Sequence, residues 1–273
     1  MKKTKEIITR TITGTALVLA ILFAIISGGL YFSAFFLLIA VLGSFEYFRM
    51  LKGSTSNPQI IVGTLFTALT FILLSLAAQN YIQYKYLFII VLMWFFIPIR
   101  ELYRKQENPI ANIATTLFGT LYLGVTLGLI QFMFLPQGTP HPYIWVLAMF
   151  VILWTSDTFA YLSGISLGKH RLFERISPKK SWEGFFGGLA ASLVAGYLFS
   201  LFFIEFQLWQ WLAYALIISV AGVFGDLVQS LFKRSLGIKD TGTILPGHGG
   251  ILDRFDAVFF AVPAAVAFIW FFI

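Results

Sequence analysis

The 273-residue chain has no cysteine, only three histidines and a charged fraction of 11%. Without cysteine there is no disulfide framework, no thiolate chemistry and no sulfur-ligated metal site. So few charges, at a mean hydropathy of +0.86, exclude an ordinary soluble domain. Tandem repeats, low-complexity tracts and long polar linkers are also missing, which leaves one integrated body. What the sequence has in abundance is apolar: 59% hydrophobic residues, among them 31 Phe. Apolar runs recur along the whole length. Lipid offers backbone polar groups no partner, so these runs are read as helices.

The pattern predicts an all-α fold, a polytopic membrane bundle of about nine transmembrane helices. They fall near residues 11–27, 30–48, 60–78, 85–99, 113–134, 143–164, 184–204, 208–231 and 255–273. Several are shorter than the roughly 20 residues a perpendicular crossing needs, and only an SGG tripeptide divides the first two. The opening MKKTKEIITR with its apolar sequel resembles a signal peptide. No A-x-A site follows and a second apolar run begins at once, so the segment is read as a retained helix.

Basic residues orient the bundle. With the N-terminus in the cytoplasm and the C-terminus outside, Lys85 alone among the Lys and Arg falls in an outer loop. The cytoplasmic side then holds Lys2, Lys3, Lys5 and Arg10; Arg49 and Lys52; and Arg100, Arg104 and Lys105. It also holds Lys169, Arg171, Arg175, Lys179 and Lys180, then Lys233, Arg234, Lys239 and Arg254. This positive-inside bias accounts for most of the formal charge of +7 without nucleic acid. Residues 1–140 are read as an N-terminal scaffold in which Glu46, near a helix end, reaches the interface. Residues 141–273 are read as the functional region, with a site facing the cytoplasm.

Four carboxylates mark that region. On this topology Asp157 and Asp226 lie in the cytoplasmic halves of two helices, and Asp253 and Asp256 stand at the cytoplasmic start of the last. Asp253 and Asp256 are three apart, so they share a helix face if the helix has already begun there. One intramembrane Asp costs about 2.5 to 3.5 kcal/mol on insertion scales, and ionisable groups at such depth are functional candidates. The plainer reading pairs each Asp with a nearby cation for packing; four at one level disfavour it. Carboxylates with no cysteine and few histidines favour a hard cation, magnesium above all, with substrate phosphates completing the shell. His248 is read as a hydrogen-bonding or phosphate-contacting residue outside that shell.

The loops beside these carboxylates carry Lys169, His170, Arg171, Lys179, Lys180, Lys233, Arg234 and Lys239. Topogenic and headgroup roles account for part of this charge. Ser177 and Ser181 are each placed to cap the seventh helix and present N–H groups to an anion. Gly247, Gly249 and Gly250 allow close backbone approach to a ligand, whereas Gly184 and Gly188 suit a small-xxx-small packing face. Metal-binding carboxylates with phosphate-binding cations at the inner leaflet suit phosphoryl-type transfer between a soluble nucleotide and a lipid.

The run SLFKRSLGIKDTGTILPGHGGILDRFD, residues 230–256, resembles the signature of the phosphatidate cytidylyltransferases, the CDP-diacylglycerol synthases. The matching positions are Ser230, Lys233, Arg234, Lys239, Asp240, Gly242, Leu245, Pro246, His248, Gly249, Gly250, Asp253, Arg254 and Asp256. SDTFAYLSG, GKH and SPKKSWEG resemble further family motifs, so the likeness covers residues 143–273; the first 140 agree only in general character. The resemblance implies magnesium-dependent conversion of CTP and phosphatidate to CDP-diacylglycerol and pyrophosphate, in a bacterial inner membrane. On that basis Asp226, Asp253 and Asp256 are expected to hold one or two magnesium ions, with Asp157 supporting. Lys233, Arg234, Lys239 and Arg254 are expected to neutralise phosphates. Lys169, Lys179 and Lys180 are expected to meet the triphosphate, with Ser181, Gly249 and Gly250 also in the substrate site. His248 is expected to orient an oxygen, and Asp240 to support the site or to form a loop pair with Lys239. A homodimer is allowed.

Three rivals remain. A CTP-dependent lipid-alcohol kinase needs a base for a neutral alcohol, and no dedicated one is visible. A CDP-alcohol phosphotransferase needs a D-G-x2-A-R pattern, which is missing. An ion-coupled transporter places its carboxylates near the midplane in repeated, broken helices, not at one edge beside cations.

Overall fold

The computed structural model describes residues 2–54, 56–134 and 141–272, with side chains from residue 8 onward. The side chains of Lys2, Lys3 and Lys5 lie outside the described residues. Nine helices among the described residues are long and apolar enough to cross a membrane, as the sequence predicts. The short runs prove longer than expected: the one near 85–99 sits within Tyr84–Arg104. The SGG break is real. Gly28 (φ 58) and Gly29 (φ 46) both take left-handed backbone, which only glycine adopts without steric cost. They separate α1 (Lys2–Ser27) from α2 (Gly29–Leu51).

The chain forms two compact units. The first comprises Met1–Phe132 and Leu236–Phe255; the second comprises Met133–Ser235 and Asp256–Ile273. The polar loop after residue 235 thus groups with the N-terminal helices, which the sequence boundary near residue 140 does not express.

In the first unit, α3 (Ile60–Ala78) is followed by α4 (Phe88–Arg104) and α5 (Pro109–Gly119). A π-helical turn, Thr120–Val125, leads on into α6 (Thr126–Leu129). Aromatic rings seat against glycine: a Cβ on Gly63 would stand 2.5 Å from the Phe48 ring, and one on Gly119 the same distance from Phe48 and Tyr47. Close contact of this kind holds helices together where lipid removes the hydrophobic drive between them.

A polar knot ties α4 to α5. Buried Glu101 accepts from Gln59 Nε2 (2.7 Å), Asn112 Nδ2 (2.9 Å) and Arg104 (2.8 Å). Because every partner is paired, this carboxylate can sit inside a bundle at tolerable cost. The expectation for Glu46 is corrected. It does not reach the interface; it is 4% exposed and accepts from the backbone N–H of Leu252 at 3.1 Å. The loop that folds over it satisfies one oxygen and leaves the other, Oε1, buried without a hydrogen-bond partner among the described residues.

In the second unit, α7 (Ile144–Leu167) leads through β1 (Arg171–Phe173) and β2 (Ser177–Ser181) to α8 (Trp182–Phe202) and α9 (Leu208–Ser235). After the short α10 (Leu252–Phe255) of the first unit, α11 (Val258–Phe272) completes it. Gly184 and Gly188 form the expected packing face: added Cβ atoms would stand 2.7 Å from the carbonyls of Ala160 and Ser156. Ser156 also bonds Ser219 at 2.8 Å, joining α7 to α9. Such bonds contribute about 0.6 kcal/mol on average within membranes. The hydroxyl of buried Tyr214 donates to the Trp145 carbonyl at 2.9 Å, within an aromatic cluster that includes Phe206, Trp211 and Phe268.

Candidate active site

Between α7 and α8 the chain makes a two-stranded antiparallel hairpin, with Arg171 opposite Ser181 and Phe173 opposite Ser177. Ser181 is the cap of α8, accepting from Gly184 N–H at 3.1 Å. Ser177 is not; strand pairing occupies it, so of the two caps the sequence allows only Ser181 forms. Glu183, in the first turn of α8, gathers the other side of the hairpin. It accepts from the backbone N–H groups of Lys169 (3.1 Å) and His170 (3.2 Å) and from His170 Nδ1 (2.7 Å). A carboxylate here also complements the positive end of the helix. The hairpin is therefore pinned at both ends, and the exposed Lys169 and Lys179 project from a fixed backbone.

The hairpin roofs a cavity of about 590 Å³. Asp157 from α7 and Asp226 from α9 line it, facing Arg171, Lys179 and Lys180 from the hairpin and Ser181 at its edge. Lys180 Nζ is ion-paired with Asp226, and Ser230 Oγ, one turn on, lies 3.3 Å from the other Asp226 oxygen. Asp256, half-buried, takes the N–H of Ala257 at 2.9 Å. The charges that act on Asp256 are those of Asp226, Asp157 and Lys233. Three of the four expected carboxylates thus share one electrostatic neighbourhood.

Glycine makes that approach possible. A Cβ on Gly225 would stand 2.5 Å from the Asp256 carbonyl and 3.1 Å from Ala257 Cα. The residue before Asp226 must be small for α9 to meet the 256–257 turn. Gly225 is not among the site residues expected from sequence; its signal there is the three-residue spacing from Gly222, itself pressed against Leu153.

Asp253 belongs to the first unit and has a different setting. Its Oδ2 accepts from Thr241 N–H (2.9 Å), Thr241 Oγ1 (3.0 Å) and Gly250 N–H (3.1 Å). The expected shared helix face with Asp256 does not form. The helix is interrupted at Asp256 and Ala257, between α10 and α11. Glu46, missed as a site residue, lies under the same loop: a Cβ on Gly242 would strike its carboxylate, as would one on Gly250.

The loop itself turns on Gly247 (φ 75) and Gly249 (φ 84), with His248 N–H donating to Leu245 at 2.9 Å. Arg254, exposed, donates to the His248 carbonyl at 2.9 Å. Burial first, then the charges of Arg254 and Arg10, hold the His248 imidazole below its usual range. It is therefore neutral at neutral pH and able to accept or donate one hydrogen bond. Lys239 and Asp240 are exposed in this loop, and Arg234 lies exposed at the end of α9, its Nε directed at the Ile176 carbonyl at 3.4 Å.

Among the described residues, no three or more His, Asp and Glu converge closely enough to hold a metal ion unaided. What they offer is a partial oxygen donor set beside lysines, a surface complementary to phosphates and a cation arriving together.

The model of the cytidylyltransferase family matches residues 8–272. A phosphatidate cytidylyltransferase of Staphylococcus aureus is 37% identical over 257 residues, covering 93% of this chain and 95% of the relative. Proteins of the same name from Staphylococcus epidermidis and Staphylococcus haemolyticus are 34% and 36% identical, again over 93% of this chain and 95% of their own lengths. Matched from α1 to the last turn of α11, the chain belongs to the cytidylyltransferase family.

Proposed function

We propose that the chain transfers a cytidylyl group from CTP to phosphatidate, giving CDP-diacylglycerol and pyrophosphate, at the cavity beneath the hairpin. The observation that carries this reading is the pairing of carboxylates with lysines in that cavity, Asp157 and Asp226 against Lys179, Lys180 and Arg171. A protein that joins two phosphate compounds must neutralise their mutual repulsion and hold them in line.

A phosphate oxygen of phosphatidate attacks the α-phosphorus of CTP. One O–P bond forms as the bond from the α-phosphorus to the bridging oxygen breaks, and pyrophosphate leaves with that oxygen. A phosphate monoester is largely ionised at neutral pH, its second pKa lying near 6. No general base is needed, which suits a cavity whose ionisable groups are carboxylates and cations. Lys179, Lys180 and Arg171 spread positive charge over the triphosphate and the departing pyrophosphate. Lys233 and Arg234, with Lys169, add further cations in the second unit, and Lys239 and Arg254 are the proposed phosphate contacts of the first unit's loop. On the first unit's loop, neutral His248 is the proposed hydrogen-bonding group and Gly249 the point of close backbone approach, while the Gly250 N–H is taken by Asp253.

The donor chemistry fits magnesium, which keeps several waters and takes one or two carboxylates plus substrate phosphates. Asp226 and Asp256 would hold it, with Asp157 in support and exchange of Lys180 onto a phosphate freeing Asp226. Magnesium, when bound, would neutralise phosphate charge and fix the geometry of attack. Asp253, whose Oδ2 is turned onto its own loop, enters as a positioning carboxylate, and Asp240 has no assigned role. The positive-inside pattern supports a cytoplasmic N-terminus and cavity with the C-terminus outside, and the bacterial relatives support a bacterial inner membrane.

Purified protein with CTP, phosphatidate and magnesium should release pyrophosphate and a cytidine-bearing lipid, and neither when the metal is left out. CDP formed with a lipid alcohol acceptor would instead place the chain among lipid kinases. A Gly225→Ala variant should lose about 10²-fold in turnover, the scale of a 1 Å misplacement, because α9 must back away from the 256–257 turn. Overpacking of this kind costs about 1–3 kcal/mol, so the variant should still fold. Initial rates and thermal unfolding in one detergent separate the two effects, and a wild-type rate would contradict the role given to Gly225.

A further inference from the structure

The seam between α7 and α8 holds a second cavity, of about 520 Å³. Val151, Thr155 and Phe159 line it from α7, four residues apart and so on one stripe of the helix. On α8 the lining begins at Ala191 and runs to Phe202 at helical spacing, with Ala191 and Ala195 as the small residues among bulkier neighbours. This is a slot between two helices. Its walls are almost wholly apolar, and Val194, Leu198 and Phe202 on its rim are exposed.

The slot continues the polar cavity along the same pair of helices. Phe159 lines the slot, while Ala160 and Tyr161, the next two residues, line the polar cavity. On α8, Gly184 and Phe185 line the polar cavity, and the slot opens about 10 Å further on at 1.5 Å per residue. From Ala191 to Phe202 it extends about 16 Å, close to half of the roughly 30 Å hydrocarbon core. An acyl chain of a lipid whose headgroup sits in that cavity runs along α8 for those roughly 10 Å and then enters the slot with its distal carbons.

We propose that this groove holds one acyl chain of the phosphatidate whose phosphate occupies the cavity under the hairpin. The proposal rests on the reaction assigned above and adds to it a chain-binding subsite. Headgroup charge sets where the phosphate sits; the groove draws the tail out of bulk lipid and fixes the direction from which the phosphate approaches.

The test fills the groove from each wall. Ala195→Phe and Val151→Trp variants would be compared with wild type on dihexanoyl and dioleoyl phosphatidate at saturating CTP, with thermal unfolding in the same detergent. The expected result is a rise of about tenfold or more in KM for the dioleoyl lipid, with kcat/KM for the dihexanoyl lipid changed less than about twofold. Equal losses on both lipids, or no loss on either, would overturn the groove assignment while wild-type turnover left the reaction standing. Wild-type protein inactive on both lipids would overturn the reaction and, with it, the occupant proposed here. If bulk lipid alone fills the slot, chain length will not matter, which is again the overturning result.

Discussion

Replacing Asp256 with Asn should lower cytidylyl transfer by about 10³-fold or more, the scale at which a single preorganised electrostatic group contributes to catalysis. Asn preserves the local backbone contact. Its side-chain oxygen can still accept from Ala257 N–H, the contact Asp256 makes at 2.9 Å, so the turn between α10 and α11 survives. What disappears is one carboxylate able to hold a cation, in a neighbourhood that also contains Asp226, Asp157 and Lys233. Removing repulsion between carboxylates leaves folding unharmed, and thermal unfolding in detergent should be unchanged or slightly raised. Asp226→Asn should lose turnover to a similar extent, with the added mark that Lys180 loses its ionic partner. Asp253→Asn should also lose turnover, since Asn keeps an acceptor for Thr241 and Gly250 but gives up the charge. Magnesium titrations divide the roles: a raised metal requirement in Asp226→Glu supports metal binding, whereas an unchanged one points to phosphate positioning. Wild-type turnover in Asp256→Asn or Asp226→Asn would remove both from the proposed metal site.

How much of this could be read beforehand depended on the kind of signal. Helix number was legible because each apolar run is long and lipid permits no other backbone solution. Gly28 and Gly29 broke the first pair of helices for a reason visible in the letters themselves. The neighbours of Asp226 were not legible. That Asp256 acts on it depends on the close approach that Gly225 allows, and that Lys180 is ion-paired with it depends on the hairpin between α7 and α8. The shared helix face of Asp253 and Asp256 failed for a local reason. Two turn residues interrupt the helix, and the three-residue spacing carries no information about a break. Glu101 and Glu46 were hidden differently. Glu46 is an isolated carboxylate in an apolar run and Glu101 stands among charged residues at a helix end, and for neither does sequence give a sign of whether its partners come from water or from protein. Gln59, Asn112 and Arg104 supply them for Glu101, from three separate stretches of chain.

Removing the Glu46 side chain should reduce kcat by about 10²-fold, the scale of a small misplacement of catalytic groups, with little change in the KM for CTP. Glu46 stands under the loop that carries Lys239, His248, Asp253 and Arg254. One of its oxygens takes the Leu252 N–H at 3.1 Å, immediately before Asp253. Gly242 and Gly250 press against the carboxylate from above, so close that neither position has room for a Cβ. In Glu46→Ala the Leu252 N–H is left buried without its acceptor, at a cost of about 1–3 kcal/mol, and the loop loses the body on which its glycines rest. Glu46→Gln separates support from charge, because a Gln oxygen can still accept from Leu252. If the carboxylate acts as a strut, Gln should recover most of the lost kcat and Ala should speed amide exchange at residues 250–252. If its negative charge is needed, Gln will be as poor as Ala while amide exchange stays slow. Wild-type kcat in Glu46→Ala would show that the signature loop holds its shape without α2, and the support assigned to Glu46 would have to be withdrawn.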